Sequence, residues 1–178
     1  MTLSRALPFL VFIAIAAALA LGLNRDPKAI PSMLINQPLP PISLPALQED
    51  QPRFESTAFI GKKLVLINVF GSWCPSCRYE HPFLMRLATD TRFTLLGLDW
   101  KDTRGNAKKY LEDYGNPFSQ IGFDDTSHAI VNLGVTGAPE TFVIDTKGIV
   151  RLRITGPLTE EIWNAEVEPL LKSAGAAP

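Results

Sequence analysis

The sequence predicts an α/β domain with a mixed central sheet. Short apolar runs rich in β-branched residues alternate with amphipathic helix patterns, the order that builds parallel strands with crossover helices. Nearer the C-terminus, two such runs flank the turn Asp145-Thr146-Lys147-Gly148, a hairpin signal that adds antiparallel pairing. Both cysteines of the chain stand in Trp73-Cys74-Pro75-Ser76-Cys77, where an apolar strand pattern gives way to a helix.

The first element precedes this domain. Residues 6–23 read ALPFLVFIAIAAALALGL and hold no charge. As a helix at 1.5 Å per residue they would span roughly 27 Å, close to a bilayer core of about 30 Å. An uncleaved signal anchor over residues 1–24 is the preferred reading. A cleaved signal peptide is the other, with small-residue sites at Ala16-Ala17-Ala18 and Ala18-Leu19-Ala20. Arg5 precedes the run and Arg25, Asp26 and Lys28 come after it, a weak charge bias, so orientation rests on the signal-like N-terminal position. Either reading exports the rest of the chain. Residues 25–41 carry Pro27, Pro31, Pro38, Pro40 and Pro41 and read as an extended tether. The domain is expected over 42–178.

Within it, residues 64–70 form an apolar run between Gly61 and Gly71 and read as a buried central strand. A helix comes next over 74–88, with Phe83, Leu84 and Leu87 at apolar spacing. Residues 93–98 are a second strand. Asp102 or Thr103 caps a helix through Tyr114, and Gly115 stops it. A short strand is expected over 121–123 and a short helix over 127–133. The hairpin strands are 141–144 and 149–154. Thr159 caps a last helix with Glu160 and Glu161 in its first turn, and Pro169 is expected to kink or end it.

Composition narrows the function. With 46% hydrophobic and 20% charged residues, the chain is neither disordered nor fibrous. The 17 Lys+Arg against 18 Asp+Glu leave a net charge of −1, which argues against a nucleic-acid partner. Two cysteines are too few for a disulfide-stapled mini-fold or a four-cysteine zinc site, and His81 and His128 lie too far apart for a zinc finger.

Cys74, at the start of a helix, faces the positive end of the helix dipole and its unsatisfied N–H groups, and both lower a thiol's pKa. Cys77 lies almost a turn deeper, better shielded, and near enough to close a disulfide. That divides the labour: Cys74 attacks a partner disulfide, and Cys77 resolves the mixed disulfide. Haem attachment through Cys-x-x-Cys-His fails because residue 78 is Arg. Cys74, Cys77 and His81 share a helix face and leave copper binding open as a lesser reading. A purely structural disulfide would close too small a loop to add much.

Trp73-Cys74-Pro75-Ser76-Cys77 at a helix start resembles thioredoxin, as do Pro82 and the Ala138-Pro139-Glu140-Thr141 segment before a strand. More closely, residues 71–81, Gly97-Leu98-Asp99-Trp100-Lys101-Asp102, Gly115-Asn116-Pro117-Phe118 and residues 134–145 resemble the DsbE/CcmG thioredoxins of cytochrome c maturation. The likeness runs from about Ile35 to Leu171. It implies a thioredoxin-like fold, a cis Pro139, and a single-pass bacterial inner-membrane protein with its C-terminal domain in the periplasm. Such a protein keeps apocytochrome c cysteines reduced, directly or through a thiol carrier, and draws electrons from a DsbD- or CcdA-type membrane donor. It needs no metal or cofactor beyond the Cys74–Cys77 pair.

Where thioredoxin carries a buried Asp, this chain has Asn68, which cannot accept a proton at neutral pH. Proton removal from Cys77 then falls to another group. The resemblance places Glu80 and Glu140 near the dithiol, where their charge would raise thiol pKa values and make the couple more reducing than that of an oxidant such as DsbA. Trp73 is placed beside the disulfide, Pro75 within the redox turn, and His81 is read as a surface or partly packed histidine. A substrate backbone would pair at Thr136, Gly137 and Ala138, before Pro139. A broad periplasmic reductase and a copper chaperone are the alternative functions.

Overall fold

A computed structural model describes residues 3–23 and 33–173, in two compact units, Met1–Pro31 and Ser32–Pro178. In the first unit, α1 (Leu3–Leu23) is helical, and its described side chains, residues 7–19, are exposed. Among the described residues no helix is long and apolar enough to cross a membrane. The anchor expected over 1–24 stands on the sequence. Arg25, Asp26, Pro27, Lys28 and Pro31 lie outside the described residues.

The second unit is a thioredoxin-like α/β fold. Its strands are β1 (Ser43–Leu44), β2 (Phe54–Glu55), β3 (Leu64–Phe70), β4 (Phe93–Trp100), β5 (Gln120–Asp124), β6 (Glu140–Ile144) and β7 (Val150–Thr155). Between them run α2 (Pro75–Leu87), α3 (Arg104–Tyr114) and α4 (His128–Asn132), and α5 (Glu160–Ile162) and α6 (Glu168–Ser173) close the chain. The 5-stranded sheet has order β5-β4-β3-β6-β7. β3, β4 and β5 are parallel, β6 pairs antiparallel to β3, and β7 pairs antiparallel to β6 at the sheet edge.

β3 is buried along its whole length, as its unbroken apolar run requires in a sheet covered on both faces. Alternation along β3 divides two cores. Leu64, Leu66 and Phe70 join the core beneath α2, α3 and α6; Val65, Ile67 and Val69 join the core beneath α4. Each fully buried aliphatic side chain contributes about 1.5–3 kcal/mol. Asn68, by the same alternation, faces α2.

Two expectations change, and a short strand pair is added. Part of the tether belongs to the domain: Asn36 N–H donates to Val150 O, Val150 N–H to Gln37 O, and Leu39 N–H to Gly148 O. Leu39 and Ile42 are buried there, and Pro38 bridges Ile149 at the sheet edge, where a missing N–H is tolerated. The short pair β1–β2 has only two residues per strand, too few for a period to register. Pro169 does not end the last helix, which continues to Ser173. A π-helical turn over Trp163–Val167, closed by Glu168 N–H on Trp163 O, widens the ladder just before the proline ring.

The helix caps agree with the residues. Thr103 accepts from Asn106 N–H, Thr159 accepts from Ile162 N–H, and Gly115 at a φ of 91° closes α3.

Candidate active site

β3 ends at Phe70, and Gly71-Ser72-Trp73 carries the chain to α2. Cys74 is the N-cap of α2, so the helix starts at Pro75, one residue after the expected start, because Pro75 suits the first helical position. The Cys77 N–H donates to Cys74 Sγ at 3.1 Å. A negative sulfur at Cys74 is therefore met by a backbone donor as well as by the helix dipole. Cys74 and Cys77 are disulfide-bonded, with Cα atoms 5.3 Å apart. The expected difference in shielding is absent: the two residues are 3% and 2% exposed. What separates them is the hydrogen bond and the helix position.

The loop before Cys74 is pinned at Ser72, whose N–H donates to Asp102 Oδ2, and at Trp73, whose Nε1–H donates to Trp100 O at 2.9 Å. Trp73 lies edge-on to Trp100 and remains 48% exposed, so it is a rim of the site rather than core. With Pro75, Arg78 and Tyr79 it lines a surface hollow beside the disulfide.

Beneath the sulfurs sits a buried polar group. Cys77, Glu80, His81 and Leu84 form the inward face of α2. Glu80 is almost fully buried, one turn beyond Cys77. It accepts from Asn68 Nδ2 at 2.8 Å and from Leu158 N–H at 2.6 Å. Burial pushes its pKa up to about 7, against the pull of the Leu158 and Asn68 hydrogen bonds. Asn68 also donates to Thr141 Oγ1 at 3.0 Å. Glu80 is thus no solvated helix charge. It is a carboxyl that exchanges a proton near neutrality, the property asked of a general acid–base.

Glu140 departs from expectation. Alternation on β6 puts Thr141 and Val143 on the α2 side and turns Glu140, with Phe142 and Ile144, to the opposite face. There it pairs with Arg153 at 2.8 Å, and both side chains are buried. Its Oε1 also accepts from Thr136 N–H, Thr136 Oγ1–H and Gly137 N–H. Its charge is compensated, and it clamps the loop rather than acting on the thiols.

That loop carries the cis Ala138–Pro139 peptide. The Ala138 carbonyl lies 3.4 Å from Cys74 Sγ. Because Glu140 takes the amides of Thr136 and Gly137, the stretch open for backbone pairing narrows to Ala138, whose N–H has no protein partner among the described residues. Thr136 is exposed, Gly137 and Ala138 are half-buried, and Pro139 is buried.

His81 is buried, not on the surface. Its Nε2 lies 3.0 Å from Gly115 O and its Nδ1 3.0 Å from Tyr110 Oη. A carbonyl only accepts, so Nε2 carries the hydrogen and Nδ1 accepts from the phenol. Burial lowers its pKa and favours this neutral form. Neither ring nitrogen is left for a metal shared with the cysteines. Among the described residues no group of three His, Cys, Asp or Glu is placed to hold an ion. Sequence reasoning missed Arg153, Leu158 and the anchoring role of Asp102. Only Arg153 left a signal, in the alternation of Val150-Arg151-Leu152-Arg153-Ile154.

Comparison with known proteins agrees with this chemistry. The Redoxin family matches residues 34–171. The thiol:disulfide interchange protein DsbE of Allochromatium vinosum is 41% identical over 165 residues, covering 93% of this chain and 91% of that protein. The Escherichia coli K12 DsbE is 38% identical over 169 residues, covering 92% and 91%. A crystal structure of a thioredoxin-family thiol:disulfide interchange protein from Chlorobium tepidum superposes with a TM-score of 0.60 at 27% identity, covering 77% of this chain and 94% of that one.

Proposed function

Because the chain belongs to the Redoxin family and, within it, to the DsbE thiol:disulfide interchange proteins, we propose that it is a reductant for apocytochrome c cysteines before haem attachment. It acts on them directly or through a thiol carrier. The domain works in the periplasm, held to the inner membrane by residues 1–24, and a DsbD- or CcdA-type membrane protein returns it to the dithiol. The observation that carries the reading is a dithiol pair at a helix N-terminus above a buried, near-neutral Glu80.

The exchange derives from the site. Cys74 thiolate attacks one sulfur of the substrate disulfide; that bond breaks and the other substrate sulfur leaves as a thiolate. The substrate chain lies against Ala138, so the mixed disulfide forms where a second backbone can approach. Glu80 takes the proton of Cys77, and the Cys77 thiolate attacks Cys74 Sγ. The mixed disulfide breaks, the second substrate thiolate leaves and is protonated, and Cys74–Cys77 is oxidised as the substrate is reduced. The membrane donor reverses this by the same chemistry.

Cys77→Ser in the full chain tests the role, because Cys74 then holds its partner covalently. Recovery of an apocytochrome, or of a carrier joined to one, is the expected result. A spread of unrelated exported proteins would replace it with a general reductase. The copper reading loses its third ligand to the Gly115 and Tyr110 contacts of His81. Retention of Cu(I) through dialysis by the reduced protein would restore it.

A further inference from the structure

Asp99 is a buried acid that the exchange chemistry does not use. It stands near the C-terminal end of β4, in register between Phe70 of β3 and Phe123 of β5. It is fully buried, and neither carboxyl oxygen meets an N–H or O–H donor among the described residues. An ionised carboxylate there would be unpaired in an apolar site, which proteins avoid by protonating it. The charged groups that face it are Asp102, from the loop after β4, and Arg104, at the start of α3. Arg104 does not pair with it: its guanidinium donates to the carbonyls of Ala46 and Leu47 and stacks over Phe123. Phe70 and Phe123, its neighbours on β3 and β5, carry no titratable group.

Asp102 is the opposite case. Lys101 takes a left-handed φ of 50°, which turns the chain back so that Asp102 reaches Ser72. Its Oδ2 accepts from Ser72 N–H and its Oδ1 from Thr103 N–H, donors suited to an anion. Ser72 is two residues from Cys74. We propose that Asp99 and Asp102 share one proton, Asp99 donating to Asp102, and that this pair holds the Ser72 amide and so positions Trp73 and Cys74 for exchange. Loss of the proton puts two negative charges side by side. Asp102 then swings from Asp99 towards solvent and releases Ser72. Burial and the Asp102 charge put this near pH 8.

The significance of the pair for exchange rests on Cys74 as the attacking thiol, but its test does not. In the oxidised full chain no thiol titrates. The Ser72 amide resonance is followed by NMR from about pH 6 to about pH 10, in wild type, Asp99→Asn and Glu80→Gln. A single titration in wild type, kept in Glu80→Gln and lost in Asp99→Asn, is expected. A flat Ser72 resonance in wild type, or a titration that survives Asp99→Asn, overturns the proposal. Should Asp99→Asn not fold, the wild-type Asp99 side-chain carboxyl carbon decides. A protonated shift at pH 6 supports the pair, and a carboxylate shift there overturns it. If Cys74→Ser traps partners through Cys77 and Cys77→Ser traps none, the exchange reading fails and the Ser72 titration stands.

Discussion

Glu80→Gln separates stability from activity. In the folded chain Glu80 is pushed from 4.5 to about 7, mainly by burial. A carboxyl with a raised folded pKa holds its proton in the native state after the unfolded chain has lost it. Its contribution is therefore complete below pH 4.5 and is lost as the pH rises to about 7. The slope is about 1.4 kcal/mol per pH unit, so the group removes about 3 kcal/mol across that window. A glutamine side chain at this position cannot ionise and escapes the loss. Its Oε1 can accept from Leu158 N–H, and if the Asn68 amide turns over, its Oδ1, without a partner among the described residues, accepts from the new Nε2 in place of the present Nδ2 donation. Denaturant unfolding of the oxidised protein, run from about pH 4.5 to about pH 8, should show the variant gaining about 3 kcal/mol on wild type. His81 and Asp99 titrate in both proteins and cancel in the difference. Removal of the proton acceptor should meanwhile slow resolution of a mixed disulfide by about a hundredfold or more at neutral pH. Parallel stability curves, or an unchanged resolution rate, would refute the role given to Glu80.

Arg153→Ala strips the partner from a buried Glu140 and should cost about 3–5 kcal/mol, read by chemical denaturation. The Thr136 and Gly137 amides should exchange faster with solvent in that variant as their clamp loosens. Gly97→Ala would set a Cβ 2.9 Å from the Phe70 ring and 3.0 Å from Phe118, which stack on each other, and should destabilise by about 1–3 kcal/mol in the same assay.

Much of the fold is legible in the residues because local and global signals coincide. The run over Leu64–Phe70 matches a strand covered on both faces, and Gly148 at a φ of 81° matches the hairpin turn. Cys74 and Cys77 announce the site because thiols three apart at a strand-to-helix junction have few other uses. The resemblance places Glu80 near the dithiol, but its buried partners do not show in the sequence, because Leu158 lies far along the chain and contributes only its backbone N–H. Glu140 misleads because nearness in sequence to Pro139 says nothing about the face a strand residue takes. Alternation from Phe142 and Ile144, buried in the α4-side core, sends it away from α2. The docked stretch around Leu39 is hidden by prolines that read as tether, although Pro38 in fact bridges the sheet edge at Ile149.

The central claim is that Cys74, not Cys77, is the attacking thiolate. The reduced protein is pulse-alkylated across a range of pH and each cysteine is followed by peptide mass. Cys74 should react first and carry its reactivity to lower pH, because the Cys77 N–H and the start of α2 face its sulfur. Cys77 should lag until Glu80 ionises, near pH 7. Cys77 labelled first, or both cysteines labelled together with one midpoint, would contradict the account.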